Sequence, residues 1–140
     1  MVKKIMCFGA FDGLHPGHLD FFKQAKSLGG YLIVSVARDS NVERFKGEKP
    51  LFSEDERLEL ISNLKIVDKA IMGSAHDFYI QIKQNKPDVI CLGYDQWATE
   101  DEVLENLKKV GLVDTRVVRL EPYRPEAAKS SILKKKSVDF

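Results

Sequence analysis

The sequence has no hydrophobic run that approaches the roughly 20 residues of a membrane-spanning helix. The apolar stretch after residues 1–4 is also too short for the core of a signal peptide. Only two cysteines are present, Cys7 and Cys91, and they lack the paired spacing of a structural zinc site. We therefore expect a cytoplasmic protein that does not contact a membrane and that keeps both thiols free and buried.

A surplus of charge of one sign is missing as well. Lysine and arginine number 22, aspartate and glutamate number 21, and the formal net charge is +1. Because a nucleic-acid-binding domain usually carries clustered positive charge, we expect no nucleic acid among the partners. The 140 residues, of which 44% are hydrophobic, can bury one substantial core, and we expect residues 1–140 to form a single domain.

Short apolar segments and amphipathic segments alternate along the chain. The predicted strands cover residues 5–8, 31–37, 67–72, 88–92 and 116–120. The predicted helices cover residues 16–28, 42–45, 53–64, 78–84 and 100–109, and a last helix begins near residue 130. This alternation indicates an α/β fold, namely a single Rossmann-like, doubly wound domain with a five-stranded parallel sheet.

Segments with polar residues or glycine directly follow four of the predicted strands. They cover residues 9–18, 38–46, 93–97 and 121–131. In sheets of this kind, ligands bind beyond the carboxyl ends of the strands, where the strand order reverses. We therefore expect these segments to meet at one edge of the sheet and to form one site.

Two of the three histidines, His15 and His18, lie where the first strand ends and the first helix begins. Pro16 suits a first helical turn, and Gly17 allows a ligand to approach the backbone closely. A helix N-terminus offers N–H groups and a positive dipole end, both of which attract phosphate. The alternatives are two exposed surface side chains or a metal site, for which His76 is the one remaining histidine.

Residues 9–18 read G-A-F-D-G-L-H-P-G-H and resemble the G-x-F-D-x-x-H-x-G-H signature of the HxGH nucleotidyltransferase superfamily, in its cytidylyltransferase-like branch. Ala10 is a departure, because a small hydroxyl residue is common there. The resemblance implies that this segment binds a nucleotide through Ala10, Phe11, Asp12, His15 and His18. It also implies that His15 and His18 are catalytic, while Asp12 could orient His15 or approach a metal ion.

A lysine in the loop after the second βα unit is implied as a third catalytic and nucleotide-binding residue. Members of the family carry such a lysine before a proline and before a helix that here contains Arg57. Lys46 matches this position best, and Lys49 is second. A loop lysine by itself is usually only solvated, whereas a phosphate nearby would make it a point-charge ligand.

The segment after the fourth strand matches the Gly-x-Asp that family members place beside the nucleoside. Gly93 and Asp95 are the matching residues. A carboxylate there could accept hydrogen bonds from ribose hydroxyls or from a base amine. The alternative is an ordinary surface turn.

The start of the last predicted helix resembles the second motif of the superfamily, Ser-Ser-Thr-x-x-Arg. Ser130 and Ser131 match, whereas Ile132 replaces the threonine and Lys135 stands where the arginine would be. The resemblance implies that Lys129, Ser130 and Ser131 bind the outer phosphates. Ser130 could also be no more than a helix cap.

Within the superfamily, four stretches are most similar to the archaeal-type FAD synthases, namely residues 36–39, 46–47 with 49–50, 67–74 and 92–96. The resemblance implies transfer of AMP from ATP to FMN with release of pyrophosphate, a divalent metal such as Mg²⁺, and a homodimer. Glycerol-3-phosphate cytidylyltransferases, which use CTP, and heptose-phosphate nucleotidyltransferases share almost the same first motif. A non-catalytic nucleotide-binding regulator is the alternative outside enzymes.

Overall fold

The structure is a computed structural model that describes residues 2–96 and 98–123. The strands of this part are β1 (Lys3–Gly9), β2 (Gly30–Val36), β3 (Lys69–Met72), β4 (Val89–Leu92) and β5 (Arg116–Arg119). The helices are α1 (Pro16–Ser27), α2 (Asp39–Lys46), α3 (Glu54–Ser62), α4 (Phe78–Asn85) and α5 (Glu100–Lys109). The predicted α/β fold is confirmed, whereas the last predicted helix, near residue 130, lies outside the described residues. None of the described helices is long and apolar enough to cross a bilayer.

The strands form one parallel sheet in the order β3-β2-β1-β4-β5. The central strand β1 pairs with β2 over its whole length, from Lys3 opposite Gly30 to Gly9 opposite Val36. It pairs with β4 only as far as Cys7 opposite Cys91. Since the strand order reverses between β1 and β4, a crevice opens there at the carboxyl ends. We call this gap the β1–β4 crevice.

Both faces of the sheet are covered, because successive residues of a buried strand point to opposite sides. One face joins strand residues to α1 and α3 and has as its largest fully buried members Ile5, Phe22, Leu32 and Ile61. The other face joins them to α4 and α5 and contains Met6, Ile33, Ile82, Ile90 and Leu107. The sheet whose carboxyl ends form the β1–β4 crevice is therefore packed against helices on both faces.

Several predicted boundaries differ from the structure by one to three residues, and hydrogen bonds explain two of the differences. The helix expected to begin at residue 42 begins at Asp39, where the Asp39 N–H donates to Glu54 and the chain is already in its first turn. The strand expected from residue 67 begins at Lys69, because the Val67 N–H closes a turn onto the Leu64 carbonyl. The predicted capping box of Ser53 and Glu56 at the start of α3 is confirmed.

Two neighbouring residues of α3 test how this core is stabilised. Ile61 is fully buried, whereas Leu60 is 43% exposed. We expect Ile61→Ala to lower the free energy of unfolding by about 2–5 kcal/mol, since it leaves a cavity beneath the sheet. The matched variant Leu60→Ala should lower it by less than about 1 kcal/mol. Urea unfolding measures both, and equal losses would contradict this packing.

Candidate active site

The two histidines form a reciprocal cap at the start of α1. His15 is the N-cap residue, and its Nδ1 accepts the Gly17 N–H at 3.0 Å. The His15 N–H in turn donates to Nδ1 of His18 at 3.2 Å. The rings stack with their centroids 3.9 Å apart. An imidazole whose Nδ1 accepts a hydrogen bond carries its proton on Nε2, so each neutral ring offers an Nε2–H donor.

This cap changes what the helix N-terminus can offer to a phosphate. Pro16 has no N–H, Gly17 donates to the His15 ring, and the His18 N–H donates to the His15 carbonyl at 2.9 Å. The expectation that these N–H groups face a ligand is therefore not met, because the turn uses them internally. The dipole of α1 and the two rings remain as the attraction for an anion.

Close packing holds both rings in place. A Cβ on Gly17 would lie 2.8 Å from Cε1 of His15, so any other residue at position 17 would force that ring to move. Phe11 is buried, has a φ of 52°, and meets the His18 ring edge-on at a centroid distance of 5.7 Å. Since the Phe11 side chain points into the core, the nucleotide contact predicted for it would have to come from its backbone. The Ala10 carbonyl accepts a hydrogen bond from Arg57, so it also has a structural role.

Arg57 is the residue whose importance the sequence did not reveal. Its guanidinium is fully buried and donates from Nη1 to the carbonyls of Ala10 and Ala37, at 2.9 and 2.7 Å. Nε donates to the Phe52 carbonyl at 3.0 Å, and Nη2 pairs with Asp39 at 2.7 Å. Because Ala10 and Ala37 directly follow β1 and β2, one side chain joins the ends of two strands to the start of α3.

Asp12 connects the same segments from the histidine loop. Its two carboxylate oxygens accept the N–H groups of Leu51 and Phe52, at 2.6 and 2.8 Å. The structure thus shows for Asp12 a role that the sequence did not predict, which is to hold the segment that leads into α3. Lys46, the last residue of α2, and Lys49 are exposed in the stretch that runs to this contact.

The segment after β4 forms the opposite wall of the β1–β4 crevice. Gly93 is buried, and a Cβ there would lie 3.4 Å from the Asp95 carboxylate and 3.6 Å from the Phe21 ring. Asp95 is exposed. The structure therefore places Gly93 and Asp95 at the same edge of the sheet as His15 and His18. Lys129, Ser130 and Ser131 lie outside the described residues.

The two thiols lie buried in the strands that lead to this site and do not take part in its chemistry. Cys7 and Cys91 face each other across β1 and β4 and are buried and free. Burial raises the pKa of the Cys7 thiol well above its ordinary value and raises the pKa of Cys91 to about 12. Both are neutral at physiological pH and are poor nucleophiles. The predicted free, buried thiols are confirmed.

Residues 6–136 match the family model described as Cytidylyltransferase-like. The FAD synthase of Archaeoglobus profundus is 49% identical over 118 residues, which cover 84% of this chain and 74% of that protein. The FAD synthase of Thermoplasma volcanium is 42% identical over 137 residues, which cover 98% of this chain and 95% of that protein. The match to the Thermoplasma volcanium protein spans nearly the whole chain, so it includes the histidine loop and the sheet that carries it.

Solved structures show the same architecture. A protein from Thermoplasma volcanium, described as a lipopolysaccharide core biosynthesis protein, superposes with a TM-score of 0.84 at 43% identity. The match covers 89% of this chain and 100% of that one. A pantoate-beta-alanine ligase from Francisella tularensis matches with a TM-score of 0.53 at 18% identity, which is a likeness of fold alone.

The buried guanidinium allows a test by stability alone. We expect Arg57→Lys to lower the free energy of unfolding by about 3 kcal/mol or more, because a lysine cannot reproduce the fork and leaves buried carbonyls unpaired. Arg44→Lys is the matched control, since exposed Arg44 donates one hydrogen bond, to Asn41, and should cost about 1 kcal/mol or less. Chemical denaturation measures both. A similar loss in the two variants would show that the Arg57 contacts contribute little.

Proposed function

This chain belongs to the cytidylyltransferase-like family, and we propose that it joins the AMP moiety of ATP to the phosphate of FMN, giving FAD and pyrophosphate. The observation that carries the proposal is the stacked His15 and His18 pair beside the β1–β4 crevice. The comparisons support the reaction, because relatives that are similar over most of the chain are FAD synthases.

The reaction requires positioning and charge stabilisation more than covalent help from the protein. An oxygen of the FMN phosphate attacks the α-phosphorus of ATP and forms a new P–O bond. The bond from that phosphorus to the bridging oxygen breaks in line, and pyrophosphate leaves with the electron pair. Negative charge builds on the α-phosphoryl oxygens and on the leaving oxygen, so fixed donors at those atoms lower the barrier.

His15 and His18 are the donors that we assign to this charge. Their Nδ1 atoms are occupied within the cap, so the Nε2–H groups serve the phosphate. The rings are held by hydrogen bonds and by Phe11 before substrate binds, which is the preorganisation that transition-state stabilisation requires. They thus replace the backbone N–H groups that a simpler helix N-terminus would present.

The remaining sequence candidates divide between the two ends of the nucleotide. Lys46, with Lys129, Ser130 and Ser131, is assigned to the β- and γ-phosphates as charge and hydroxyl donors. Ala10, Phe11 and Asp12 line the phosphate side through their backbone. Gly93 and Asp95 are assigned to the nucleoside. ATP and FMN are thus the two partners, and the homodimer remains part of the proposal.

In this scheme Mg²⁺ enters the site bound to ATP. Both carboxylate oxygens of Asp12 already accept backbone N–H groups, and the described residues contain no cluster of three or more metal-ligating side chains. The donors present near the histidines therefore do not fit a resident Mg²⁺ ion. We assign the ion to the triphosphate oxygens of ATP, which are ligands that Mg²⁺ prefers.

Product analysis tests the reaction directly. We expect incubation with ATP, FMN and Mg²⁺ to yield FAD and pyrophosphate, resolved by chromatography. Replacing ATP with CTP should reduce product formation strongly. CDP-glycerol from CTP and glycerol-3-phosphate, without FAD, would assign the chain to the cytidylyltransferase alternative.

One comparison favours a second candidate. The solved relative from Thermoplasma volcanium is described as a lipopolysaccharide core biosynthesis protein. A heptose phosphate offers the same nucleophile as FMN, a phosphate monoester, and is therefore included as an acceptor in the same assay. If a nucleotide-activated heptose forms faster than FAD, the acceptor is a heptose phosphate and not FMN.

The role of His18 is tested by substitution. We expect His18→Ala to lower kcat by about 10²-fold or more, since it removes a preorganised donor from the transition state. The circular dichroism spectrum should stay unchanged. His76→Ala is the matched control, because His76 is exposed in the loop after β3 and has no assigned role. Turnover by His18→Ala equal to that of the control would remove His18 from the mechanism.

A further inference from the structure

A side-chain amide spans the β1–β4 crevice where the ladder between the two strands stops. Cys7 and Cys91 are the last paired residues. In a continued parallel ladder the Gly93 N–H would next donate to the Phe8 carbonyl. Instead, Gly93 donates to Oε1 of Gln96 at 2.7 Å, and Nε2 of Gln96 donates to Phe8 at 3.1 Å. Gln96 therefore acts as a spacer that replaces one rung and keeps the strands apart.

Arg119 fixes this spacer from the other side. It is the last residue of β5, and its Nη1 donates to the carbonyls of Gly93 and Gln96, at 2.8 and 2.9 Å. Its Nη2 donates to the Ala98 carbonyl at 2.6 Å, and the guanidinium also pairs with Glu100 at the start of α5. Hydrogen bonding to Arg119 lowers the pKa of the Glu100 carboxyl, so that carboxyl is ionised at neutral pH.

The residues held in this way form a tight turn. The Gln96 N–H donates to the Gly93 carbonyl at 3.2 Å, which makes Tyr94 and Asp95 the two central residues of a four-residue turn. Both are exposed. We call residues 93–96 the crevice turn. Arg119 and Gln96 bind its backbone and so leave its two central side chains available to a ligand.

The chemistry of the crevice turn suits a nucleoside better than a phosphate. A carboxylate repels phosphate but accepts hydrogen bonds from ribose hydroxyls or from an exocyclic amine. An exposed tyrosine ring offers a stacking face for a base. The anion-attracting rings of His15 and His18 lie on the β1 side of the crevice. The phosphates of a nucleotide therefore suit the β1 side, and its nucleoside suits the crevice turn on the β4 side.

We propose that Arg119 is the positioning residue for nucleoside recognition, because it fixes the crevice turn through the carbonyls of Gly93 and Gln96. This inference rests on the proposed nucleotidyl transfer for the identity of the nucleotide. Arg119 does not touch the substrate in this scheme. It acts by holding Asp95 at a set distance across the opening that Gln96 maintains.

The test compares Arg119→Lys with Arg116→Lys, which changes an exposed arginine at the opposite end of β5. We expect Arg119→Lys to raise the KM for ATP, and the Kd of a non-hydrolysable ATP analogue, about tenfold, from the loss of one or two hydrogen bonds. The KM for FMN and kcat should change less than about threefold, because Arg119 is assigned no contact with FMN or with the reacting atoms. Arg116→Lys should match the wild type in every respect.

Inorganic tripolyphosphate separates a positioning role from a structural one. It has no nucleoside, so its Kd should be the same for Arg119→Lys and for the wild type. Equal weakening of tripolyphosphate and of the ATP analogue would mean that the site as a whole is damaged and would overturn the proposal. An unchanged Kd for the ATP analogue in the folded variant would also overturn it.

A double-variant cycle tests the path through Gln96. Gln96→Leu cannot bridge Gly93 and Phe8, and we expect it to weaken binding of the ATP analogue as well. Since both side chains act on one turn, the fold-increase in Kd for the double variant should be smaller than the product of the two single-variant increases. Independent effects would contradict the shared path. These binding readouts need no FMN, so failure of FAD formation in the wild type would count against the proposed function alone.

Discussion

The buried guanidinium of Arg57 is the interaction on which the candidate site depends most. A charge without solvent contact is tolerated only where every donor finds a partner. Each of the three guanidinium nitrogens of Arg57 donates, and together they bind three backbone carbonyls and the Asp39 carboxylate. Two of the carbonyls terminate adjacent strands, and the third leads into α3. The geometry of the histidine loop is thereby tied to the core and not left to a free surface loop.

A second arginine performs the same task on the other side of the switch point. Arg57 fixes the ends of β1 and β2, while Arg119 fixes the segment that follows β4. The planar fork of arginine suits both positions, since one rigid side chain can bind several carbonyls at once. The β1–β4 crevice thus lies between two walls, each held by a guanidinium, and Gln96 sets the distance between them.

Internal hydrogen bonding also explains why the site uses imidazoles. The first turn of α1 satisfies its own N–H groups through His15, so the helix contributes its dipole and two oriented rings. Rings fixed before substrate binds need little reorganisation when charge develops during the reaction. The thiols of Cys7 and Cys91 in the two strands that lead to the crevice are buried, and their raised pKa keeps them neutral.

The sequence by itself determined the features that depend on neighbours three or four residues apart. The alternation of strands and helices, the capping box at Ser53 and the place of His15 and His18 at a helix start all follow from local spacing. The order of the elements also determined that the segments after β1 and β4 share one edge of the sheet.

Only the tertiary structure decided what Arg57, Asp12, Gln96 and Arg119 do. Their partners are mainly backbone groups up to 88 residues away along the chain, as for the Gln96 amide and the Phe8 carbonyl. Every residue carries a carbonyl, so no residue type marks the one that a guanidinium will bind. The early start of α2 has the same origin, because Asp39 is held by Arg57 and Glu54 from a later helix. Local patterns encode the elements, whereas packing selects the distant polar contacts that align them.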